Sequence, residues 1–349
     1  MKRNAIERNS LIDLIRLVCA FAVVILHVRN NGGEPFWYIS PFTWSIIPFF
    51  FMASGYFLAD ENAERMKQRL NKQIKTVFWM FAGSMLAYFI FRVLVVAVQS
   101  PWGLNEVFSA LWNLEYWFKL LAFNDTGFIS YAPHLWYVPA FLYAMVVIRV
   151  ALKYVKLKRL YWLTLIILLW VPLTMWQANQ GPDVPLAVVR NFWTHGIPCL
   201  LAGAWIKCNT QRILKWPRKL VIALPAALAL LTVGEWLVYL QLGYGSLTVN
   251  TGATFFAASL MVLSIHFPSA GARTPFPRWG AKYSLMIYIS HGVFSFLLYT
   301  AAVTWRFWDA IWFRLVAPVA VLLLSFGFAM LWEGAKDMRK GRKQAKAVV

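Results

Sequence analysis

The chain has 349 residues, of which 60% are hydrophobic, 17% aromatic and only 14% charged, with 34 Lys+Arg against 14 Asp+Glu and a formal net charge of +20. A soluble domain carries about 25% charged residues, and a nucleic-acid binder this basic is not expected to be this apolar. The apolar residues fall in blocks of membrane-span length, which excludes a soluble enzyme, a disordered basic tail and a disulfide-stapled secreted domain. The three cysteines, Cys19, Cys199 and Cys208, are too scattered for a disulfide framework or a metal site.

In chain order, ten segments have the length and composition of spans: 11–28, 38–59, 76–98, 134–150, 160–178, 190–206, 219–240, 248–266, 283–301 and 310–332. The first follows Lys2, Arg3 and Arg8 but lacks a small-x-small cleavage site and contains Asp13 and Arg16. It therefore reads as a retained helix and not a signal peptide. Segment 105–123 is aromatic and of mixed polarity, the pattern of a helix lying in the membrane interface. The predicted fold is thus all-α and polytopic, with one membrane domain over 1–335 and a basic tail over 336–349. No internal repeat is evident.

Threading ten helices with the N-terminus in the cytoplasm puts 27 of the 34 basic residues on one side, in the segments 2–8, 65–75, 149–159, 207–219, 273–282 and 336–346. The positive-inside rule then predicts that both termini are cytoplasmic. Of the other seven, Arg16 lies inside the first helix. Arg29, Arg92, Lys119, Arg190, Arg306 and Arg314 lie toward the outer face. Those outer cations either snorkel to the interface or hold a polar or anionic substrate.

The first span places polar groups on a single stripe. Arg16 and His27 are eleven residues apart, about 20° from three full turns and roughly 16 Å along the axis. Asp13 is three residues before Arg16, within pairing distance on a helix face. Such a stripe is costly against lipid and suits a helix lining the interior of a bundle. Taken alone, His27 also reads as an interfacial residue and Asp13–Arg16 as a packing ion pair.

Four blocks carry a family resemblance. Asp13-Leu-Ile-Arg16 followed by His27 resembles the first-helix signature of the membrane-bound acyltransferase-3 family, and Pro48-Phe-Phe-Phe-Met-Ala-Ser54-Gly55-Tyr56 is similar to its second-helix segment. Pro133-His134-Leu-Trp136-Tyr137 and Ser284-Leu-Met-Ile287-Tyr288-Ile-Ser-His291 resemble two later blocks, in family order. The resemblance covers the whole chain and is to stand-alone members of the family. It implies transfer of an acyl group, acetyl from acetyl-CoA, to a hydroxyl of a cell-envelope glycan or its lipid-linked precursor at the plasma (inner) membrane. The family's essential arginine and histidine fall on Arg16 and His27. The family's basic motif after the second helix reads here Arg69-x-x-Lys72-x-x-Lys75 with no following proline. These three are the candidates for the CoA phosphates.

The residues support that chemistry. Esterifying a sugar hydroxyl from a thioester needs a base and stabilisation of an oxyanion, and histidine is the side chain whose ordinary pKa suits a base near neutral pH. His27 is the candidate base, with Arg16 and Asp13 as its companions on the stripe. Acylation of His27 itself is the other version of the chemistry. Ser54, Tyr56, His134, Trp136, Tyr288 and His291 are the candidates for the acceptor. Ser54-Gly55 also reads as small-residue helix packing, and Trp136 as part of an interfacial aromatic belt. His195 and His266 read as structural, and Glu235 has no evident partner. No spacing suggests metal ligands, and no nucleic-acid partner is expected. A small-solute transporter or a membrane sensing domain is the alternative class; it predicts inverted repeats and broken helices.

Overall fold

The structure is a computed structural model and describes residues 8–29, 40–99, 103–127, 132–170, 172–173, 175–176, 190–243 and 251–346. Among them every regular element is helical: α1 (Ser10–Arg29), α2 (Ile46–Leu58), α3 (Ala63–Gln99), α4 (Leu104–Ser109), α5 (Leu114–Phe123), α6 (Tyr137–Ala151), α7 (Ile197–Cys208), α8 (Arg218–Gln241), α9 (Thr251–His266), α10 (Phe276–Thr304) and α11 (Ile311–Lys346), besides shorter turns. Lys2 and Arg3 of the first basic segment lie outside the described residues. Helix α11 runs without a break across the predicted start of the tail at 336.

Among the described residues, seven stretches are long and apolar enough to cross a membrane: Ser10–Val28, Pro41–Leu58, Ala63–Gln99, Pro133–Ala151, Arg218–Gln241, Phe276–Thr304 and Ile311–Arg339. The described residues of the three other predicted segments include helices that are shorter or of another kind. Within 248–266 the described helix α9 has 16 residues. Segment 190–206 opens with a π-helical turn, Phe192–Gly196, before the 12 residues of α7. Segment 160–178 begins as a 3-10 helix over Tyr161–Leu169.

That 3-10 helix has three residues per turn, and its burial follows the period. Ile167 and Trp170 are buried, Tyr161 and Thr164 partly so, while Trp162, Leu165 and Leu168 are exposed. Segment 105–123 forms the short helices α4 and α5 joined by a 3-10 turn. Trp112, Leu114, Phe118 and Leu121 there are exposed, which leaves an apolar face open, as an interfacial helix requires.

The described residues divide into two compact units, one within Arg8–Thr43 and Phe267–Val349, the other within Trp44–His266. In the first, α1 starts where Asn9 Oδ1 accepts the Ile12 N–H at 3.1 Å, an N-terminal cap. The Ser10 N–H donates to the Pro268 carbonyl at 2.7 Å, tying α1 to the chain entering α10. Helix α10 carries Pro277 in its first turn, where the missing N–H costs nothing. Gly280 of α10 lies against the Asp13 backbone carbonyl, and a Cβ at that position would collide with it. Phe326 of α11 packs edge-on against Phe21, Trp279 and Tyr283.

In the second unit, α2 and α7 approach through a reciprocal pair of glycines. Gly55 faces the Leu200 carbonyl and Gly203 faces the Met52 carbonyl, each too close for a Cβ. This is the small-residue packing that lets transmembrane helices touch backbone to backbone. Glu235 of α8 accepts the N–H groups of Thr251 at 2.9 Å and Gly252 at 2.6 Å, together with the Tyr239 hydroxyl at 3.2 Å. It thereby satisfies the first amides of α9, which have no partner within the helix.

Candidate functional site

The first unit gathers five of the predicted site residues on α1 and α10. Asp13 is 4% exposed and lies 3.1 Å from Arg8 Nε and 3.6 Å from Arg16. One carboxylate between two guanidinium groups leaves a net positive charge at this end of the stripe. Arg16 reaches Asp13 through one terminal nitrogen, while its Nε is buried with no hydrogen-bond partner among the described residues.

Further along α1, the His27 ring lies 5.0 Å from the His291 ring of α10, tilted by 36°. Tyr288, one turn before His291, is 3% exposed, with its ring 5.9 Å from that of His291. His291 is fully buried, and its Nδ1 lies 3.3 Å from the Ile287 carbonyl. A hydrogen on Nδ1 donated there would leave the Nε2 lone pair as an acceptor. Next to it, the Ser290 hydroxyl is buried without a hydrogen-bond partner among the described residues, a rare condition for a buried polar group.

Spacing along α1 made the Asp13–Arg16–His27 stripe legible. The approach of His291 comes from the packing of α10, with Gly280 removing the side chain that would hold the two helices apart. Ser290 was missed, because a lone serine on an apolar helix gives no signal in sequence.

The second unit holds the other candidates, and most of them are engaged. The His134 Nε2 and the Tyr88 hydroxyl are 3.1 Å apart, and both side chains are buried. The Arg190 guanidinium sits 4.6 Å over the Trp136 ring and 5.8 Å from the Trp44 ring, a cation–π arrangement. The His195 ring stacks on Trp170 at 3.9 Å and meets Trp136 edge-on at 6.2 Å, which agrees with a structural role. His266 Nε2 lies 2.9 Å from the Ile213 carbonyl.

Two asparagines organise this aromatic region, and neither stood out in the sequence. Asn124 is fully buried and left-handed at φ 51° after α5, a conformation asparagine tolerates at helix ends. Its Oδ1 accepts the Phe192 N–H at 2.7 Å, and its Nδ2 donates to the Trp136 carbonyl at 3.4 Å. Asn191 caps the π-helical turn by accepting from Trp193 and Thr194.

Ser54 is half-buried beside the Gly55 contact, and Tyr56 is buried with the Lys207 ammonium 4.9 Å over its ring. Arg69 bonds the Asp60 carboxylate at 3.0 Å and the Ala59 carbonyl at 2.8 Å, which fixes the turn between α2 and α3. Lys72 and Lys75 are exposed on α3. Glu235 is committed to the α9 amides. Among the described residues no group of three or more His, Cys, Asp or Glu could hold a metal ion.

A family model described as an acyltransferase domain, the acyltransferase-3 family, matches residues 9–331. An amino-acid racemase of Enterococcus faecalis is 28% identical over 165 residues, which is 44% of this chain and 21% of that protein. The chain therefore spans about a fifth of the length of that relative. No solved structure matches. The family match runs through all four sequence blocks and both compact units, and the chain belongs to the acyltransferase-3 family of membrane acyltransferases.

Proposed function

We propose that this acyltransferase is an O-acetyltransferase of the plasma (inner) membrane. It moves an acetyl group from cytoplasmic acetyl-CoA to a hydroxyl of a cell-envelope glycan or its lipid-linked precursor, with His27 as general base. The observation that carries this reading is the pairing of His27 with the buried His291 across α1 and α10. A half-buried imidazole held against a fully buried one, on the helix that carries the charged stripe, is a costly arrangement to keep without a use.

In the proposed reaction His27 takes the proton as the acceptor hydroxyl attacks the thioester carbonyl. A C–O bond forms, the C–S bond breaks, and the proton passes to the departing thiolate. His291 orients the His27 ring, and the positive charge left by Arg8, Arg16 and Asp13 faces the phosphorylated donor. Lys72 and Lys75, with Arg69, are assigned to the CoA phosphates. Tyr56, His134, Trp136 and Tyr288 are assigned to the acceptor, with Ser54 beside them. The orientation follows from the basic segments: ten spans, with both termini in the cytoplasm.

Envelope glycans from cells lacking the gene, complemented with wild type or His27→Ala, provide the test by mass spectrometry. Acetylated glycan is expected with wild type alone. Wild-type acetylation by His27→Ala would overturn the assignment. A radiolabelled acetyl group trapped on the protein without acceptor would replace direct transfer by a His27 acyl-enzyme.

A further inference from the structure

Within the unit Trp44–His266, two cavities adjoin that the proposed transfer does not use. One is polar, about 830 Å³, and is lined by Asp60, Glu61, Lys156, Lys158, Asn209 and Arg212 among others. The second is an apolar groove of about 680 Å³ walled by Trp162, Leu165, Leu224, Leu228 and Phe255. Both are lined by Lys158, Tyr161 and Trp205, so the two spaces adjoin at these side chains.

Each half has a definite chemistry. In the polar half Asp60 is already paired with Arg65 at 3.3 Å and Arg69 at 3.0 Å. Three cations, Lys156, Lys158 and Arg212, therefore face Glu61 alone, and the mouth is net positive. In the groove the Thr164 and Ser259 hydroxyls donate to their own helices' carbonyls, of Tyr161 at 2.7 Å and Phe256 at 2.6 Å. They make no polar demand on an occupant, and the groove suits hydrocarbon. One of its walls is the segment Tyr161–Leu169, a 3-10 helix with three residues per turn.

We propose that these cavities form one binding site for an anionic diacyl phospholipid, its phosphate against Lys156, Lys158 and Arg212 and an acyl chain in the groove. A nucleotide would use the polar half and leave the groove empty. A neutral lipid would fill the groove and leave three cations without a counter-charge. Topology accounts for the side on which these basic residues lie, but not for their meeting at the mouth of a chain-sized groove. Basic residues near a membrane surface each contribute about 1 kcal/mol of attraction to anionic lipid.

The test uses the full-length protein in detergent, with dioleoyl phosphatidylglycerol and dioleoyl phosphatidylcholine as probes, read by native mass spectrometry and by the shift in melting temperature. Wild type is expected to retain the phosphatidylglycerol and to be stabilised by it more than by phosphatidylcholine. The exposed-site variant Lys156→Gln/Lys158→Gln/Arg212→Gln should bind phosphatidylglycerol about tenfold or more weakly, with phosphatidylcholine unchanged. Ala258→Phe, which fills the groove, should weaken both lipids; Leu165→Trp serves the same purpose if that variant does not fold. Equal retention of the two lipids by wild type, undiminished phosphatidylglycerol binding by the triple variant, or one-for-one displacement of the lipid by CoA would each overturn the proposal. None of these results bears on acetyl transfer at His27, which the glycan assay reads separately.

Discussion

Two histidine clusters in this molecule are built differently: His134, His195 and His291 are buried, while His27 is half-buried. In the unit Trp44–His266, His195 is stacked on Trp170 and His134 meets the Tyr88 hydroxyl, so each ring is matched to an aromatic neighbour. In the unit of α1, α10 and α11, His27 and His291 face each other, with the buried Ser290 hydroxyl next in the chain to His291. Rings matched to aromatic partners stabilise a fold. A facing pair beside a buried hydroxyl with no hydrogen-bond partner among the described residues is a cost that the proposed transfer would explain. The difference sets His195 apart as a packed ring, whereas the proposed transfer draws on His27 and His291, with His134, held by Tyr88, as an acceptor contact.

That contrast is tested most sharply at His27. His27→Ala should lower acetyl transfer by about 10²–10⁴-fold, the scale of a lost general base, with melting temperature and detergent-extracted yield near wild type. His291→Ala should lower it by a smaller factor. If His27→Ala unfolds the protein while retaining specific activity, the two clusters are alike and the contrast fails.

Packing of the helices comes next in size. Gly280→Val drives side-chain atoms into the Asp13 carbonyl and should cost about 1–3 kcal/mol, read as a fall in melting temperature together with a loss of acetyl transfer. Gly83→Val, where a Cβ would meet nothing within 4 Å beyond the neighbouring backbone of its own helix, is the matched control and should change little. Equal effects of the two would show that the close approach of α1 and α10 is unimportant.

Smaller effects are expected in the other unit. Glu235→Ala removes the acceptor of two α9 amides and should destabilise by about 0.5–2 kcal/mol, as for other helix caps. Tyr88→Phe removes the hydroxyl that meets His134 and should cost about 0.5–1.5 kcal/mol. Thermal unfolding measures both, and a loss of acetyl transfer beyond that expected from lowered stability would move this cluster toward the active role given to His27.

Much of the candidate site was legible before any fold was known. The Asp13–Arg16–His27 stripe follows from helical spacing alone, and the structure brings its two charged residues within pairing distance. Ser54-Gly55 was legible as a small-residue contact, although not its partner Leu200. Glu235 was not legible, because its partners are main-chain amides sixteen and seventeen residues away and backbone groups leave no mark in a sequence. Arg190 was placed on the outer side but not over Trp136. The 3-10 form of Tyr161–Leu169 was hidden for another reason: an apolar run satisfies the composition of a span whichever helix it adopts.

By itself, then, the sequence determined an apolar, helical membrane protein, the gathering of most of its basic residues into a few short segments and the polar stripe on its first helix. All of these depend on composition or on neighbours within a few residues. Only the tertiary structure decided which histidine faces His27, which acid caps α9, and where a polar cavity adjoins an apolar groove. Each of these joins residues beyond one helical turn of each other, which no local pattern records; the facing of His27 and His291 depends on the close α1–α10 contact that Gly280 allows.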